Sequence, residues 1–141
     1  MIGPMNVLLL SVMLLAGGEP PPPGPYVTVY RDGTVAFQVR RDRVTLMKDG
    51  NYKVWLRWLW AEPKPWKSSE EDARIAVADL DCRQLRVREL AVMHRNREGK
   101  FFDVEEFAEE EREWRSFEPD SGAAAAMKRL CEFVPRLKEA K

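Results

Sequence analysis

The sequence predicts an α+β protein, in which an antiparallel sheet of about six strands is followed by a C-terminal α-helix packed on one face of the sheet. Short apolar–polar alternations separated by turn signals predict the strands, and an apolar stripe at helical spacing near the C-terminus predicts the helix. The chain has 141 residues, of which 45% are hydrophobic and 33% charged. This length and composition are typical of one folded domain with its own hydrophobic core.

In the first half of the domain, the sequence pattern predicts four strands that are joined mostly by tight turns. Gly33 and Gly50 mark two of the turns, because each follows an aspartate, and Gly50 can adopt a positive φ without a steric penalty. Two prolines and several polar residues predict a long loop at residues 61–72. The four strands are predicted at residues 26–30, 34–41, 43–48 and 52–60.

The second half of the sheet is predicted from residues 73–81 running into 82–95, and from 100–104. Leu80 and Cys82 share one face of the long strand, whereas Leu85 and Val87 share the other. We expect a β-bulge near residues 83–84, because one extra residue inverts the alternation and brings both pairs to the same face.

The C-terminal helix is predicted within residues 119–141. Asp120 or Ser121 can cap its first N–H groups, and four consecutive alanines favour the helical state. Pro135 is expected to kink or end the helix. The apolar stripe comprises Ala123, Ala126, Met127, Leu130, Cys131 and Val134.

The N-terminal segment predicts export. Residues 7–16 form an apolar run with the length of a secretion-signal core, and Ala16 and Gly18 supply small residues for cleavage. The alternatives are a retained membrane anchor from Ile2 to Gly18 and a buried structural helix. Both leading interpretations place the folded part in the periplasm, in the cell envelope or outside the cell. The chain is thus divided into residues 1–18 (signal peptide or anchor), 19–25 (Pro-rich linker) and 26–141 (α+β domain).

The two cysteines favour a disulfide. Cys82 is predicted on a strand and Cys131 on the inner stripe of the helix, in a chain expected to reach an oxidising compartment. A redox site would need a Cys-X-X-Cys spacing or a low-pKa thiol beside a base, and the sequence has neither. A zinc site would need more ligands than two thiols and His94, which is the only histidine. No metal or other cofactor is therefore predicted.

Four short motifs carry a family resemblance. They are Val54-Trp55 on an early strand, Asp81-Cys82 before an arginine-bearing segment, Trp114 ahead of a Pro-x-Ser helix start at residues 119–121, and Cys131 near the end of the helix. With these motifs the chain resembles the surface-adhesin protein E-like domain of small bacterial envelope proteins, over roughly residues 26–134.

This resemblance implies an antiparallel sheet of about six strands, with the helix tethered to its concave face by a Cys82–Cys131 disulfide. It also implies an exported protein that binds a protein partner and can form a homodimer. Many relatives are lipoproteins, but here Gly18 stands where the lipidated cysteine would be. No motif in this chain carries over binding to a host protein.

A few exposed side chains are the candidate contacts for a partner. Trp66 lies in the predicted Pro-Lys loop, and Arg83, Arg86 and Arg88 can dock a carboxylate. The alternative for the arginines is a solvated face paired with Glu89 and its neighbours. Lys plus Arg and Asp plus Glu balance at 23 each, so no net field favours nucleic acid.

The sequence predicts no catalytic residues, because it contains no nucleophile elbow, phosphate-binding loop or dinucleotide fingerprint. The leading hypothesis is an exported, non-catalytic binding or adhesion-like module. The alternative is a membrane-tethered structural accessory subunit of an envelope or membrane complex, and an enzyme is the third hypothesis.

Overall fold

The computed structural model describes residues 24–139, which form an antiparallel sheet and a C-terminal helix. The strands are β1 Tyr26–Arg31, β2 Val35–Arg40, β3 Thr45–Leu46, β4 Tyr52–Trp66, β5 Ser69–Asp81, β6 Arg86–Arg95 and β7 Phe101–Glu106, and they are followed by a 3₁₀ turn at Glu109–Glu111 and by α1 Gly122–Glu139. The main order across the sheet is β1-β2-β4-β5-β6-β7, and the short β3 pairs with the start of β4. This architecture confirms the predicted α+β fold. The predicted signal or anchor and most of the Pro-rich linker lie outside the described residues.

The sheet has two faces with different partners. The inner face carries Val39, Val54, Leu56 and Leu80, all fully buried beneath α1. The outer face carries the alternate positions of the same strands, including Arg57 of β4. Met127, Leu130 and Val134 of α1 complete the core, as their spacing along one stripe of the helix predicts.

The prediction of a loop at residues 61–72 is wrong, because β4 and β5 form one long hairpin that turns at Lys67 and Ser68. Pro63 lies in the interruption of the β4–β5 pairing between Leu59 and Lys64. Pro65 lies beyond the last residue of β4 that pairs with β2, so a missing N–H is tolerated there.

The continuous strand predicted across residues 82–95 is also wrong. β5 ends at Asp81, residues 82–85 form a tight turn, and β6 begins at Arg86. The chain reverses there, so the alternation of faces restarts without the predicted bulge. Leu85 takes a positive φ of 52° to close the turn. The bulge in the β5–β6 pairing lies instead between Val77 and Ala78.

The ends of α1 are set by Ser121 and by packing near the C-terminus. The hydroxyl of Ser121 accepts a hydrogen bond from the Ala124 N–H at 3.0 Å, whereas Asp120 precedes it at a positive φ of 67°. Pro135, which was expected to kink or end the helix, lies inside it and does not end it. Val134, the residue before it, is fully buried. No helix among residues 24–139 has the length and apolar character needed to cross a membrane.

Candidate functional site

A disulfide between Cys82 and Cys131 ties the helix to the sheet, as the sequence predicts. The two Cα atoms are 5.5 Å apart and 49 positions apart in the chain. Cys82 lies in the β5–β6 turn rather than on a strand, and Cys131 follows the buried Leu130 on α1. The bond therefore fixes the middle of α1 over one end of the sheet.

Asp81 organises the turn that presents Cys82. Its side chain is only 1% exposed. One carboxylate oxygen accepts the backbone N–H of Arg83 at 3.1 Å and that of Gln84 at 3.3 Å, and the other accepts the Arg86 Nε–H at 2.9 Å. Asp81 therefore caps the turn that contains Cys82 and pairs with Arg86 at the start of β6.

Replacing Asp81 with asparagine is expected to lower stability at neutral pH and to flatten its decline in acid. Burial by itself raises the pKa of Asp81, but hydrogen bonds from Arg86 and from the Gln84 and Arg83 N–H groups outweigh it and hold the pKa below its ordinary value of 3.8. The ionised carboxylate therefore stabilises the fold above that value, and its contribution is lost as the pH falls through the lower folded pKa.

Urea unfolding of the wild type and of Asp81→Asn between pH 7 and pH 2 checks this expectation. Asp120→Asn is the matched control, because Asp120 is exposed in the structure. Identical pH dependence in the wild type and Asp81→Asn would contradict a role for the ionised carboxylate.

A cavity of about 210 Å³ lies between the N-terminal end of α1 and the inner face of the sheet. Its lining includes the aromatic side chains of Tyr30, Phe37, Trp58 and Phe117. The ring centroids of Phe37 and Trp58 are 5.2 Å apart. The exposed Asp32 belongs to the same lining. The lining is thus mostly aromatic and apolar and includes one acidic residue.

A group of guanidinium and aromatic side chains lies on the outer face, and we call it the outer cluster: Tyr26, Arg40, Arg43, Trp55 and Arg57. The Arg57 guanidinium lies 4.1 Å from the centroid of the Tyr26 ring. Those of Arg40 and Arg43 lie 5.7 and 5.9 Å from the Trp55 ring. These distances fall within the range of cation–π contacts.

Two members of the outer cluster, Arg43 and Arg57, form no ion pair with another described residue. Arg57 donates instead to the side-chain oxygen of Gln38 at 2.6 Å. Burial, assisted by the charge of Arg95, lowers the pKa of Arg57 from its ordinary value. Arg40, by contrast, is paired with Asp42 at 2.8 Å. The outer cluster therefore holds positive charge that the surrounding residues do not neutralise.

A second aromatic contact on the outer face involves Trp114, Arg86 and Arg88. Both guanidinium groups lie 4.5 Å from the Trp114 ring. Val87 forms an isolated antiparallel bridge with Arg115, which places Trp114 beside β6. Arg86 and Arg88 are each paired with an aspartate of β5, at 2.9 Å. This part of the outer face is consequently charge-balanced.

The only histidine, His94, forms a buried cluster with Glu71, and the rings of Trp60 and Trp66 pack around it. Glu71 is 4% exposed and His94 is 2% exposed. The Glu71 carboxylate bonds the His94 Nδ1 and also accepts the Trp60 indole N–H at 2.6 Å. The Trp66 ring stacks on His94 with centroids 4.2 Å apart. The histidine is thus part of the packing of the β4–β5 hairpin against β6.

The structure separates Trp66 from the three predicted contact arginines, which lie close together, since Arg83 and Arg86 both reach Asp81. Trp66 and Arg83 lie at opposite ends of the 13-residue strand β5, roughly 40 Å apart at the usual rise of a strand. Trp66 is 36% exposed, and its indole N–H donates to Asp103 at 2.5 Å. Arg83 is the most exposed of the four, and it donates to the side chain of Asn51 at 3.0 Å.

Arg83, Arg86 and Arg88 are ion-paired, but with Asp81 or Asp79 and not with Glu89. Glu89 pairs instead with Arg74 at 2.6 Å and with Arg115 at 3.4 Å. Glu89 lies on the opposite face of β6 from Arg86 and Arg88, because successive residues of a strand alternate between the two faces of the sheet.

Sequence reasoning missed the outer cluster as a site. The alternation of β4 indicated it, because Trp55 and Arg57 must share a face opposite Val54 and Leu56. Trp58 packs against the core cluster, whereas Trp55 lies half-buried on the outer face.

These features define a small, disulfide-tied α+β domain with an aromatic cavity on one face of its sheet and an arginine–aromatic cluster on the other. Comparisons of the chain with protein-family models, with curated proteins and with solved structures found no match. Within the described residues, no three His, Cys, Asp or Glu side chains are grouped so as to hold a metal ion.

Proposed function

We propose that the protein is an exported bacterial envelope protein that acts as a non-catalytic, adhesion-like binding module for a protein partner. The observation that carries the proposal is the outer cluster. Arginine and aromatic residues are the types enriched at protein–protein interfaces and among their energetic hot spots. An interface here would place preformed cation–π pairs at its centre.

The partner surface that best matches the outer cluster is an acidic one. Arg43 is exposed and Arg57 is half-buried, and neither has a carboxylate partner among the described residues. A partner carboxylate that reaches Arg57 would form a charge-assisted hydrogen bond in a partly desolvated position. Electrostatic complementarity of this kind favours fast and selective association.

The disulfide supports the export part of the proposal. Disulfides persist in the periplasm and outside the cell and are rare in the cytosol. This agrees with the secretion signal or anchor predicted at residues 1–18. The resemblance to the surface-adhesin protein E-like domain points to the same compartment.

Photocrosslinking in the producing bacterium tests the proposal directly. A photoreactive amino acid in place of Arg43 is expected to give an adduct of discrete mass, whereas one in place of Arg97 is not. Arg97 is the matched position, since it is exposed in the turn after β6 at the far end of the sheet. Equal adduct yields at the two positions, or none at either, would contradict the proposal.

The charge of Arg57 provides a second measurement. Adding Arg57→Gln to the crosslinking variant is expected to reduce the adduct yield several-fold, whereas adding Arg129→Gln on the exposed side of α1 leaves it unchanged. An adduct of twice the chain mass identifies a homodimer. Recovery of the adduct only with a stoichiometric membrane complex identifies the accessory subunit instead of the adhesion-like module.

A further inference from the structure

The cavity beneath α1 has the lining of a cation site. Tyr30, Phe37, Trp58 and Phe117 contribute four aromatic rings to a space of about 210 Å³. The face of an aromatic ring carries negative electrostatic potential, and cages of several rings are the usual receptors for quaternary ammonium groups. An empty apolar cavity of about 150 Å³ suffices for a benzene-sized guest, so this one accommodates a small organic molecule.

Asp32 gives the cavity a fixed negative charge. Its Oδ1 accepts three hydrogen bonds, from the Thr34 N–H and hydroxyl at 2.8 Å and from the Val35 N–H at 3.1 Å. The bonds from Thr34, followed by the one from Val35, hold the pKa of Asp32 below its ordinary value, so the group is ionised at neutral pH. No described residue bonds Oδ2 or forms an ion pair with Asp32.

The helix side of the cavity is lined by small side chains. Residues 122–126 are Gly-Ala-Ala-Ala-Ala, so the first turns of α1 carry nothing larger than a methyl group. Further along the helix, Leu130 is buried in the core and Cys131 is bonded to Cys82. The short side chains leave the space between the start of the helix and the sheet unfilled.

One ring of the cavity lining, that of Trp58, already forms a cation–π contact within the protein, with Arg74. The Arg74 guanidinium lies 4.8 Å from the Trp58 centroid, and its charge is balanced by Glu89 at 2.6 Å. Arg74 therefore adds no net repulsion, and it is not part of the cavity lining. Asp32 remains the charge in the lining that has no partner of opposite sign.

We propose that this cavity binds a small quaternary ammonium compound, with the methylated nitrogen among the aromatic rings and Asp32 as its counter-charge. The site goes beyond the proposed function, because it lies on the opposite side of the sheet from the outer cluster. An anion would be repelled by Asp32. A neutral apolar guest would leave the carboxylate without a partner.

A comparison of choline with its neutral isostere 3,3-dimethylbutan-1-ol tests whether binding depends on the positive charge or only on the shape of the ligand. Titration of each into the full chain, followed through the methyl signals of Ala126 and Met127, gives the two dissociation constants. We expect saturable binding of choline that is at least about tenfold tighter than that of the alcohol, as cation–π contacts in a desolvated site allow. Equal affinities, or no saturable binding of choline at millimolar concentration, would overturn the proposal.

Three variants locate the binding. Asp32→Asn keeps the Oδ1 acceptor of the turn, and it is expected to weaken choline several-fold while leaving the alcohol unchanged. Ala123→Leu fills the cavity and should abolish binding of both, whereas Ala125→Leu, on an exposed alanine outside the lining, should affect neither. Choline binding that survives Ala123→Leu would show that the ligand lies elsewhere.

Crosslinking from position 43 is expected to be unaffected by Ala123→Leu. The proposal of a cation site in the cavity and the proposal of a partner at the outer cluster can therefore fail independently.

Discussion

Replacing either Cys82 or Cys131 with serine is expected to lower the free energy of unfolding by about 4 kcal/mol. The disulfide joins residues 49 positions apart, and closing a loop of that size in the unfolded chain removes about this much conformational entropy. For a domain of this size the loss corresponds to a fall in Tm of roughly 20 °C. Denaturant unfolding, with the slope compared between variants, measures the change.

The two single variants and the double variant are expected to be equally destabilised, because each removes the same bond. Reduction of the wild type should give the same loss, which serves as the control for the serine side chains. Clearly unequal effects of Cys82→Ser and Cys131→Ser would show that the two sulfur atoms contribute separately.

Replacing Glu71 with alanine is expected to destabilise the fold by about 3 kcal/mol. The carboxyl group is buried, accepts a hydrogen bond from the Trp60 indole N–H and is bonded to His94, so its loss leaves two buried polar groups without their partner. A buried polar group left without its partner costs about 1–3 kcal/mol. The stacking of Trp66 on His94 should loosen as well, which a change in indole fluorescence would report.

Glu70→Ala is the matched control for this prediction. Glu70 is the neighbouring glutamate of β5, but it is exposed, so its removal is expected to change stability by less than about 0.5 kcal/mol. A double variant, Glu71→Leu with His94→Phe, should recover part of the loss because it removes the carboxylate and the imidazole together. Equal effects of Glu70→Ala and Glu71→Ala would show that the buried contacts of Glu71 with His94 and Trp60 add nothing to the stability of the fold.

The predictable part of the fold was the part governed by local alternation. The apolar positions of β2 and of the first half of β4 match their burial on the inner face, and the stripe of α1 places Met127, Leu130 and Val134 in the core. The errors fell where pairing overrides local preference. Pro63 and Pro65 predicted a loop, but the sheet accommodates Pro63 at an interruption of the ladder and Pro65 beyond the end of β2.

The candidate sites were less predictable than the fold. Trp66 was predicted as an exposed contact from its neighbours in the chain, yet His94 and Asp103, both distant in sequence, hold it in place. The outer cluster joins β1, β2 and β4, so its existence depends on strand register rather than on any motif.

The sequence by itself determined the class of fold and the two sulfur atoms that join helix to sheet. The alternation of side chains has a fixed period in a strand and in a helix, and two cysteines without a redox or metal motif pair readily in an oxidising compartment. Only the tertiary structure decided what the two faces of the sheet can bind. The aromatic cavity lies where the small side chains of α1 meet Phe37 and Trp58. This meeting depends on three-dimensional packing between segments far apart in the chain, which no local pattern records.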